Sequence, residues 1–509
     1  MPMKSLKQKT ALAFIWCVLR TGIEQGFSFV IFLFLGRLLT PADFGVVALA
    51  AGVVEVVRLF SLVGLYEAMI RLPVLDELAA DTAFWTSVAL GAVLAGGVVL
   101  LGKPVALLFG QPLLAQVVPV MSLIVIASSL GNAHTGRLAR DFGHRALAMR
   151  SLAANIAGGF AALAVMLSGG GLWALVAQRL AAEIVQSAAV WYALRWIPRL
   201  RFSFAELKGM SGFSARMTLA NLIIGINMRV QESVVGLYLP VAAVGSLRIA
   251  SRLTDLIQQL VFLPANQATM VAFSRLQEER ANLQRGYRQA LRLAGLVAFP
   301  CFIGLAAVGP ELVPWMFGQQ WVASVPILQA LCFAVVPITV QFFMAPVLVA
   351  VGQAGGLALF AVFNLGLGVV VTVLSVRFGI VAVAIALTLR GWVLLPVALV
   401  LLKRACGVRV GTFAEMAPPF VAALLAALPV LGLQTWLKGS LPLPLLMAVQ
   451  MAAYGLSYAA LLYLGARGFM ADAADSLMPL VPPRMQGKVR RIFRLDDGGT
   501  VAASEASGV

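Results

Sequence analysis

Long apolar blocks alternate with short polar connections along most of the chain. Each block reaches roughly 20 residues, the length that an α-helix needs to cross the hydrocarbon core of a bilayer. Backbone groups in lipid must be satisfied within the segment, and the alternating pattern of a membrane barrel is missing, so the blocks predict helices. Fourteen spans are predicted, at about residues 11–36, 44–65, 82–102, 115–133, 151–168, 172–194, 212–236, 245–271, 291–308, 324–350, 356–376, 380–402, 415–434 and 443–465.

Composition supports an all-α polytopic membrane protein. Of 509 residues, 61% are hydrophobic and only 12% are charged, whereas a soluble domain carries about 25% charged residues. The formal charge of +17 would suggest nucleic acid in a soluble protein. Here the positive charge comes mainly from loops, because most lysines and arginines fall in loops that would lie on the same side of the membrane. The positive-inside rule then predicts an even number of spans with both termini in the cytoplasm, and no nucleic-acid partner.

A faint internal repeat divides the chain. Residues match at an offset of about 200, and the matches imply two six-helix lobes related by an axis along the membrane normal. The matching pairs are Gly36 with Gly236, Gly45 with Gly245, Glu55 with Asp255, and 109–111 with 317–319. The predicted domains are an N-terminal lobe (1–209), a C-terminal lobe (210–404), an extra helix pair (405–465) and a basic cytoplasmic tail, partly disordered (466–509).

Charged residues inside the predicted spans are the main chemical signal. An arginine near the centre of a membrane helix costs at least ~2.5 kcal/mol, so these side chains should face protein or a water-filled cavity. Apart from Arg179 and Glu183 on span 6, those at i,i+3 or i,i+4 spacing fall on spans 1, 2, 7 and 8, the first two helices of each lobe. The arginines are Arg20, Arg58, Arg229, Arg248 and Arg252, and the carboxylates are Glu24, Glu55, Glu232 and Asp255.

We expect these four helices to surround one central cavity. Glu55 and Arg58 would face Asp255, Arg252 and Arg248 of the other lobe. The excess of arginine makes such a cavity cationic, and guanidinium groups suit bidentate binding of phosphate or pyrophosphate. The alternative is a set of internal salt bridges that only fixes bundle packing. Similarly, Arg179 and Glu183 are open to interpretation as a structural pair within span 6.

Two loop stretches have local interpretations. In the first turn, Thr40 would cap the following helix, with Pro41 at its first position and Asp43 near the positive end of its dipole. Residues 195–208 mix aromatic and basic side chains, which predicts an interfacial segment on anionic lipid. Finally, a cluster of acids in a cytoplasmic loop is interpreted as a solvated patch: Asp76, Glu77 and Asp81.

Signatures of enzymes and cofactors are missing from the sequence. His134 and His144 have no cysteine or carboxylate at metal-ligand spacing, so no metal site is expected. A Gly-rich phosphate loop with Lys and Ser or Thr is also missing. We therefore expect no cofactor and no enzymatic activity.

Several stretches carry a resemblance to a known family. They are the run Gly36–Gly45 (GRLLTPADFG), the stretch from Val235 through Gly245 to Ala250, Pro264, and residues 317–321 (FGQQW). On these motifs the chain resembles the polysaccharide transport (Wzx-type) flippases of the MOP superfamily, relatives of MATE exporters and lipid II flippases. The second repeat departs from the family where an Asp often stands in span 7; the nearby acids are Glu232 and Asp255.

The resemblance implies a function. The expected activity is translocation of undecaprenyl-pyrophosphate-linked oligosaccharide units from the inner to the outer leaflet of the bacterial inner membrane, by alternating access. Membrane lipids and a polymerase or co-polymerase of the same pathway are the further expected partners. The alternatives are a MATE-like exporter of small molecules, a lipid-linked glycan polymerase or ligase, and a scaffold for a biosynthetic complex.

Overall fold

A computed structural model of the protein describes residues 22, 24–62, 65–72, 75–141, 144–275, 280–408, 416–437, 440–466 and 468–470. Within these ranges the chain is helical apart from turns and short connections, and the described part contains no β-strand. The all-α fold class is therefore confirmed. Residues 471–509 of the predicted basic tail lie outside the described residues, as does Arg20.

The helices follow the predicted spans closely. The first half contains α1 (24–38), α2 (Pro41–Leu62), α3 (Leu65–Arg71), α4 (Glu77–Leu108), α5 (Leu114–Arg140), α6 (His144–Leu167) and α7 (Trp173–Leu194). The second half contains α8 (Phe204–Tyr238), α9 (Val241–Arg275), α10 (Arg280–Phe317), α11 (Ser324–Cys332), α12 (Val335–Ala350), α13 (Ala354–Ser375) and α14 (Ile380–Cys406). A last pair is α15 (Ala417–Trp436) and α16 (Leu443–Gly465). The predicted tenth span is broken, since α11 and α12 meet at a bend of 56°.

Length and hydropathy single out a subset of these helices as membrane spans. Among the described residues, nine helices qualify when α2 and α3 count as one, and the bent pair α11–α12 makes a tenth. The long helices α7, α8 and α9 are not in this set, and each has charged residues in its interior. The total of fourteen spans therefore stays a prediction.

Helix contacts divide the molecule into two bundles and an attached pair. In the first bundle α2, α4, α5, α6 and α7 pack on one another, and in the second α9 to α14 do so. The pair α15–α16 packs on α10. Contacts between the bundles run mainly from α2 to α9, and α8 packs on α2 as well as on α13 and α9. The predicted domain boundaries after residues 209 and 404 fall within α8 and α14, close to one end of each helix.

The start of α2 is capped by Thr40 and Asp43, as the sequence predicted. Asp43 Oδ2 accepts hydrogen bonds from the Thr40 backbone N–H at 2.9 Å and from the Thr40 hydroxyl at 2.7 Å. In return, the Asp43 N–H donates to Thr40 Oγ1 at 3.3 Å. This reciprocal capping satisfies N–H groups that have no partner inside the helix, and Pro41 is the first residue of α2.

The ends of α2 and α9 touch backbone to backbone. A Cβ added at Gly45 would lie 2.0 Å from the Val241 carbonyl oxygen, and one added at Gly245 would lie 1.9 Å from the Pro41 carbonyl oxygen. Small residues allow helices in membranes to approach this closely. Gly45 of α2 contacts the first residue of α9, and Gly245 of α9 contacts the first residue of α2. The two contacts are equivalent at an offset of 200 residues, as the internal repeat predicts.

A second contact closes the same end of the molecule. The Trp321 indole N–H donates to the Gly36 carbonyl at 2.7 Å, and the Arg37 Nε donates to the Met316 carbonyl at 2.7 Å. Phe44 packs edge-on against Trp321 with ring centroids 5.3 Å apart. Two stretches with family resemblance, 36–45 and 317–321, thus bind each other across the two bundles.

The interpretation of the acidic loop as a solvated patch is wrong for its third member. Asp81 is fully buried and accepts a hydrogen bond from the Arg199 backbone N–H at 3.0 Å. Glu77 forms an ion pair with Arg137 at 2.6 Å, and Asp76 caps α4 by accepting from the Ala79 N–H at 2.8 Å. Asp81 is buried because the chain from 195 to 203 folds back onto α4, which spacing along the sequence did not reveal.

We predict that Gly45→Ala and Gly245→Ala each lower the melting temperature of the detergent-solubilised protein. The added methyl forces α2 and α9 apart, and overpacking costs about 1–3 kcal/mol. Gly96→Ala and Gly366→Ala are matched controls, because a Cβ at either position meets nothing within 4 Å. Thermal unfolding of the four variants checks the prediction, and equal melting temperatures for all four would contradict it.

Candidate functional site

A cavity of about 260 Å³ lies where the bundles meet. Helices α1, α2, α6 and α7 line it from one side and α9 from the other. Three arginines reach it, Arg179 from α7 and Arg248 and Arg252 from α9, while its described lining includes no carboxylate. The remaining lining is mixed: it has polar side chains (Ser28, Asn155 and Gln178) and apolar ones that include Phe32 and Phe44. The cavity is therefore cationic and rich in hydrogen-bond donors.

Two of these arginines share one face of α9. Arg248 and Arg252 are four residues apart, so their side chains project in nearly the same direction. Arg252 Nη2 donates to the Ser28 hydroxyl at 2.9 Å, and its guanidinium lies 5.8 Å from the centre of the Phe32 ring. Both partners belong to α1, so this single side chain ties the second bundle to the first.

A buried glutamate positions Arg248. Arg248 Nη1 donates to Glu232 Oε1 at 3.0 Å, and Arg229 approaches Glu232 Oε2 at 3.7 Å. Only 6% of the Glu232 surface is exposed. One carboxylate therefore compensates two guanidinium groups, on α8 and α9, and the i,i+3 pairing of Arg229 with Glu232 was predicted from spacing.

A second ion-pair group lies on α2 and α7. Arg58 Nη2 donates to Glu55 Oε1 at 2.6 Å, and Arg58 Nη1 lies 3.6 Å from Glu183 Oε2. The i,i+3 pair Glu55–Arg58 is confirmed. The predicted partners of Arg58 in the other lobe are wrong, because among the described residues its second carboxylate is Glu183 of the same bundle. Glu55 does interact electrostatically with Arg229 and Arg179.

The role of α7 in this region was not predicted from the sequence. Arg179 lines the cavity and interacts electrostatically with Arg248, Arg229, Glu55 and Glu232. It does not form an ion pair within 4 Å with Glu183 in the described structure, so the interpretation as a closed pair within one helix is wrong. The sequence did contain a signal for α7, because Arg179 and Glu183 are charged residues at i,i+4 spacing in an apolar helix. The same spacing of Arg248 and Arg252 predicted the role of α9.

The other predicted site residues are placed as follows. Asp255 is on α9, one turn beyond Arg252, and interacts electrostatically with Arg248 and Arg252. Glu24 lies at the described start of α1 and is half-buried. Arg20 falls outside the described residues. No group of three or more His, Cys, Asp or Glu side chains with metal-binding geometry occurs among the residues that the structure describes.

The arrangement can bind an anion from both bundles at once. Guanidinium groups of α7 and α9 converge on one space, and none of them is neutralised by a carboxylate in the described cavity wall. Arginine presents a planar fork of donors that matches phosphate oxygens. Glu232, which pairs with Arg248, does not line the cavity, and neither Arg179 nor Arg252 forms an ion pair within 4 Å in the described structure, so these two arginines keep the cavity positive.

The fold and the cavity define a class of membrane protein. The solved structure of the lipid II flippase MurJ in an inward closed conformation matches 88% of this chain and 99% of its own chain, with a TM-score of 0.69 and 14% identity. An inward-facing MATE family multidrug resistance transporter of the MOP superfamily matches 79% of this chain and 94% of its own, with a TM-score of 0.56 and 18% identity. The chain therefore has the helical fold of MOP superfamily transporters.

Sequence comparison gives the family within that class. A family model described as "Polysaccharide biosynthesis protein" matches residues 34–326. This is more than half of the chain, and the protein belongs to that family.

Two relatives agree with this assignment. The succinoglycan biosynthesis transport protein ExoT of Rhizobium meliloti is 26% identical over 338 residues, 66% of this chain and 68% of the relative. The lipopolysaccharide biosynthesis protein WzxC of Escherichia coli is 24% identical over 334 residues, 64% of this chain and 67% of the relative.

We predict that Glu232→Gln destabilises the protein. Loss of this carboxylate leaves two partly buried guanidinium groups without their acid, and breaking a buried ion pair from one side costs about 3–5 kcal/mol. Glu206→Gln, in the first turn of the same helix, is half-buried without an ion pair in the described structure. It is the matched control and should cost only about a few tenths of a kcal/mol. The melting temperatures of the two variants in detergent test this, and a Glu232→Gln variant as stable as the control would refute it.

Proposed function

We propose that the protein is a flippase for undecaprenyl-pyrophosphate-linked oligosaccharide repeat units. It would move them from the inner to the outer leaflet of the bacterial inner membrane, in the synthesis of an exopolysaccharide, capsule or O-antigen. The observation that carries the proposal is the cavity that both bundles share, with three arginines and no carboxylate in its described wall. The names of the relatives, a succinoglycan transport protein and a lipopolysaccharide biosynthesis protein, support the substrate class.

In this mechanism the pyrophosphate enters the cavity and the polyprenyl tail stays in lipid. Arg248 and Arg252 bind the phosphate oxygens together with Arg179, and Arg20, Arg58 and Arg229 extend the cationic region. Glu24, Glu55, Glu232 and Asp255 hold these arginines in position or carry coupling protons. A charged head group gains more from guanidinium donors in a site with little water than it would in bulk solvent.

Alternating access follows from the two-bundle design. The predicted lobes (1–209 and 210–404) rock against each other around the cavity, as inferred for transporters built from repeats. In the orientation given by the positive-inside rule, both termini are cytoplasmic and the α2–α9 contact closes the outer side. A head group then enters from the cytoplasmic leaflet, and separation of α2 and α9 releases it outside. Through its lipid-linked product the protein would act beside a polymerase or co-polymerase.

The rival functions differ in the cavity charge that they need. A MATE-like exporter of cationic compounds requires acidic groups in its binding site, and the described cavity wall is basic. A polymerase or ligase requires groups that activate the sugar hydroxyl or the leaving pyrophosphate, and the described cavity wall contains no Asp, Glu or His side chain. The flippase is therefore the function that the site chemistry favours.

We predict that Arg252→Ala abolishes surface polysaccharide while the protein stays in the membrane at normal abundance. A hydrogen bond to a charged group contributes about 1.5–3 kcal/mol, so loss of this arginine should weaken head-group binding roughly ten- to hundredfold. Arg252→Lys keeps the positive charge but lacks the planar pair of N–H donors of a guanidinium group, and it should retain part of the activity. Arg377→Ala removes an exposed arginine outside the cavity and should behave as the native protein does. Normal polysaccharide from Arg252→Ala would contradict the cavity mechanism.

We also predict the phenotype of a deletion strain. Lipid-linked repeat units should accumulate on the cytoplasmic side, because assembly proceeds while translocation stops. Susceptibility to cationic drugs should be unchanged, since a cationic cavity repels them. Mass spectrometry of extracted lipid-linked sugars and drug-inhibition assays measure the two effects. Hypersensitivity to cationic drugs without accumulation would favour the exporter instead.

A further inference from the structure

The connection between α7 and α8 is held firmly although it is not helical. We call residues 195–203 the strap. Three hydrogen bonds of 2.8–3.1 Å tie it to the first turns of α4: the Arg199 N–H to Asp81 Oδ1, the Trp85 indole N–H to the Arg199 carbonyl, and the Ser203 N–H to Thr82 Oγ1. Because all three partners are on one helix, the strap has a fixed position relative to α4.

A second set of contacts fixes the start of the strap. His134 Nε2 donates to the Trp196 carbonyl at 3.0 Å, and the Trp196 indole N–H donates to Glu77 Oε2 at 3.0 Å. Glu77 is in turn paired with Arg137, whose guanidinium lies 5.0 Å from the centre of the Trp196 ring. The His134 ring stacks on Trp191 with centroids 4.3 Å apart. The strap is thus built into the fold at both ends.

The strap and α4 enclose an open groove of about 710 Å³. One wall is the exposed face of α4, with Trp85, Ala89 and Val93 at successive turns. The other wall is the strap, with Leu200 and Phe202, and Arg201 is the one charged side chain in the described lining. The volume falls within the range of about 300–1,000 Å³ that is typical of small-molecule sites.

The position of the groove restricts what can occupy it. Val93 is 72% exposed and Leu200 is 88% exposed, and the α4 wall belongs to a helix with the length and hydropathy of a membrane span. This wall therefore faces hydrocarbon, and an apolar chain covers it best. In the predicted orientation the strap lies at the cytoplasmic surface, where the leaflet is anionic and basic segments attract lipid head groups.

We propose that this groove is a binding site for an anionic phospholipid. One acyl chain lies between Trp85, Ala89 and Val93 on α4 and the apolar side chains of the strap, and its phosphate rests on Arg201. The prebuilt strap means that little conformational entropy is lost on binding. The site is separate from the central cavity, since the described linings of the two share no residue. The proposal does not depend on the flippase function.

The test uses the full-length protein in nanodiscs of phosphatidylcholine with a small fraction of phosphatidylglycerol carrying a photoreactive acyl chain. Peptide mapping should locate the cross-links on α4 around Ala89 and Val93. Arg201→Gln should reduce this labelling about tenfold, because the bond from the guanidinium to the lipid phosphate is lost; a tenfold change corresponds to ~1.4 kcal/mol. Ala89→Trp, which fills the groove from an exposed position, should reduce it further.

Arg195→Gln is the matched control. It removes the same charge from the same strap, but Arg195 packs over Tyr192 and does not line the groove. Labelling should therefore stay near the native level. Equal loss in Arg195→Gln and Arg201→Gln would show attraction to the surface without a site and overturn the proposal. Equal labelling by photoreactive phosphatidylcholine would overturn the preference for an anionic lipid. Displacement by a stoichiometric amount of undecaprenyl pyrophosphate would assign the groove to the carrier lipid instead.

Discussion

The cost of keeping guanidinium groups in the middle of a membrane protein governs this structure. An unpaired charge in hydrocarbon is expensive, so each buried arginine must meet an acceptor or water. Arg58 meets Glu55 and Glu183, Arg248 meets Glu232, and Arg252 meets Ser28. These contacts place the polar sides of α1, α2, α7, α8 and α9 against one another, and the apolar sides of the bundles then face lipid.

This constraint also explains why the charge is uneven. The carboxylates lie between arginines of neighbouring helices and outside the described cavity wall, whereas three arginines reach the cavity. Glu232 holds two arginines at once and is almost completely buried, so the fold withdraws negative charge from the central space. The carboxylates pair with arginines outside the cavity lining, and the described lining itself contains arginines without carboxylates. Stability and the proposed selectivity for anions therefore depend on the same few ion pairs.

Periodicity predicted this fold well because lipid permits few alternatives. Apolar length locates the helices, and i,i+3 spacing paired Glu55 with Arg58 and Arg229 with Glu232. The partner of Arg58 across helices was not predictable, because Glu183 is brought near only by the packing of α7 on the rest of the first bundle. The interpretation of Asp81 as solvated is wrong for the same reason: its partner, Arg199, is more than one hundred residues away in sequence. Spacing along the sequence predicts contacts within one helix, whereas contacts between helices can be known only once the packing of the helices is known.

The reciprocal glycine contact between α2 and α9 has a consequence for the origin of the chain. Gly45 touches Val241 and Gly245 touches Pro41, so each half presents the same patch to the other. In homodimers with two-fold symmetry this self-complementary geometry is called isologous. A half-length ancestor with one such helix end would dimerise through it about an axis along the membrane normal, the axis predicted to relate the two lobes. Gene fusion would then have joined the protomers in one polypeptide, free to give Glu55 and its counterpart Asp255 different neighbours.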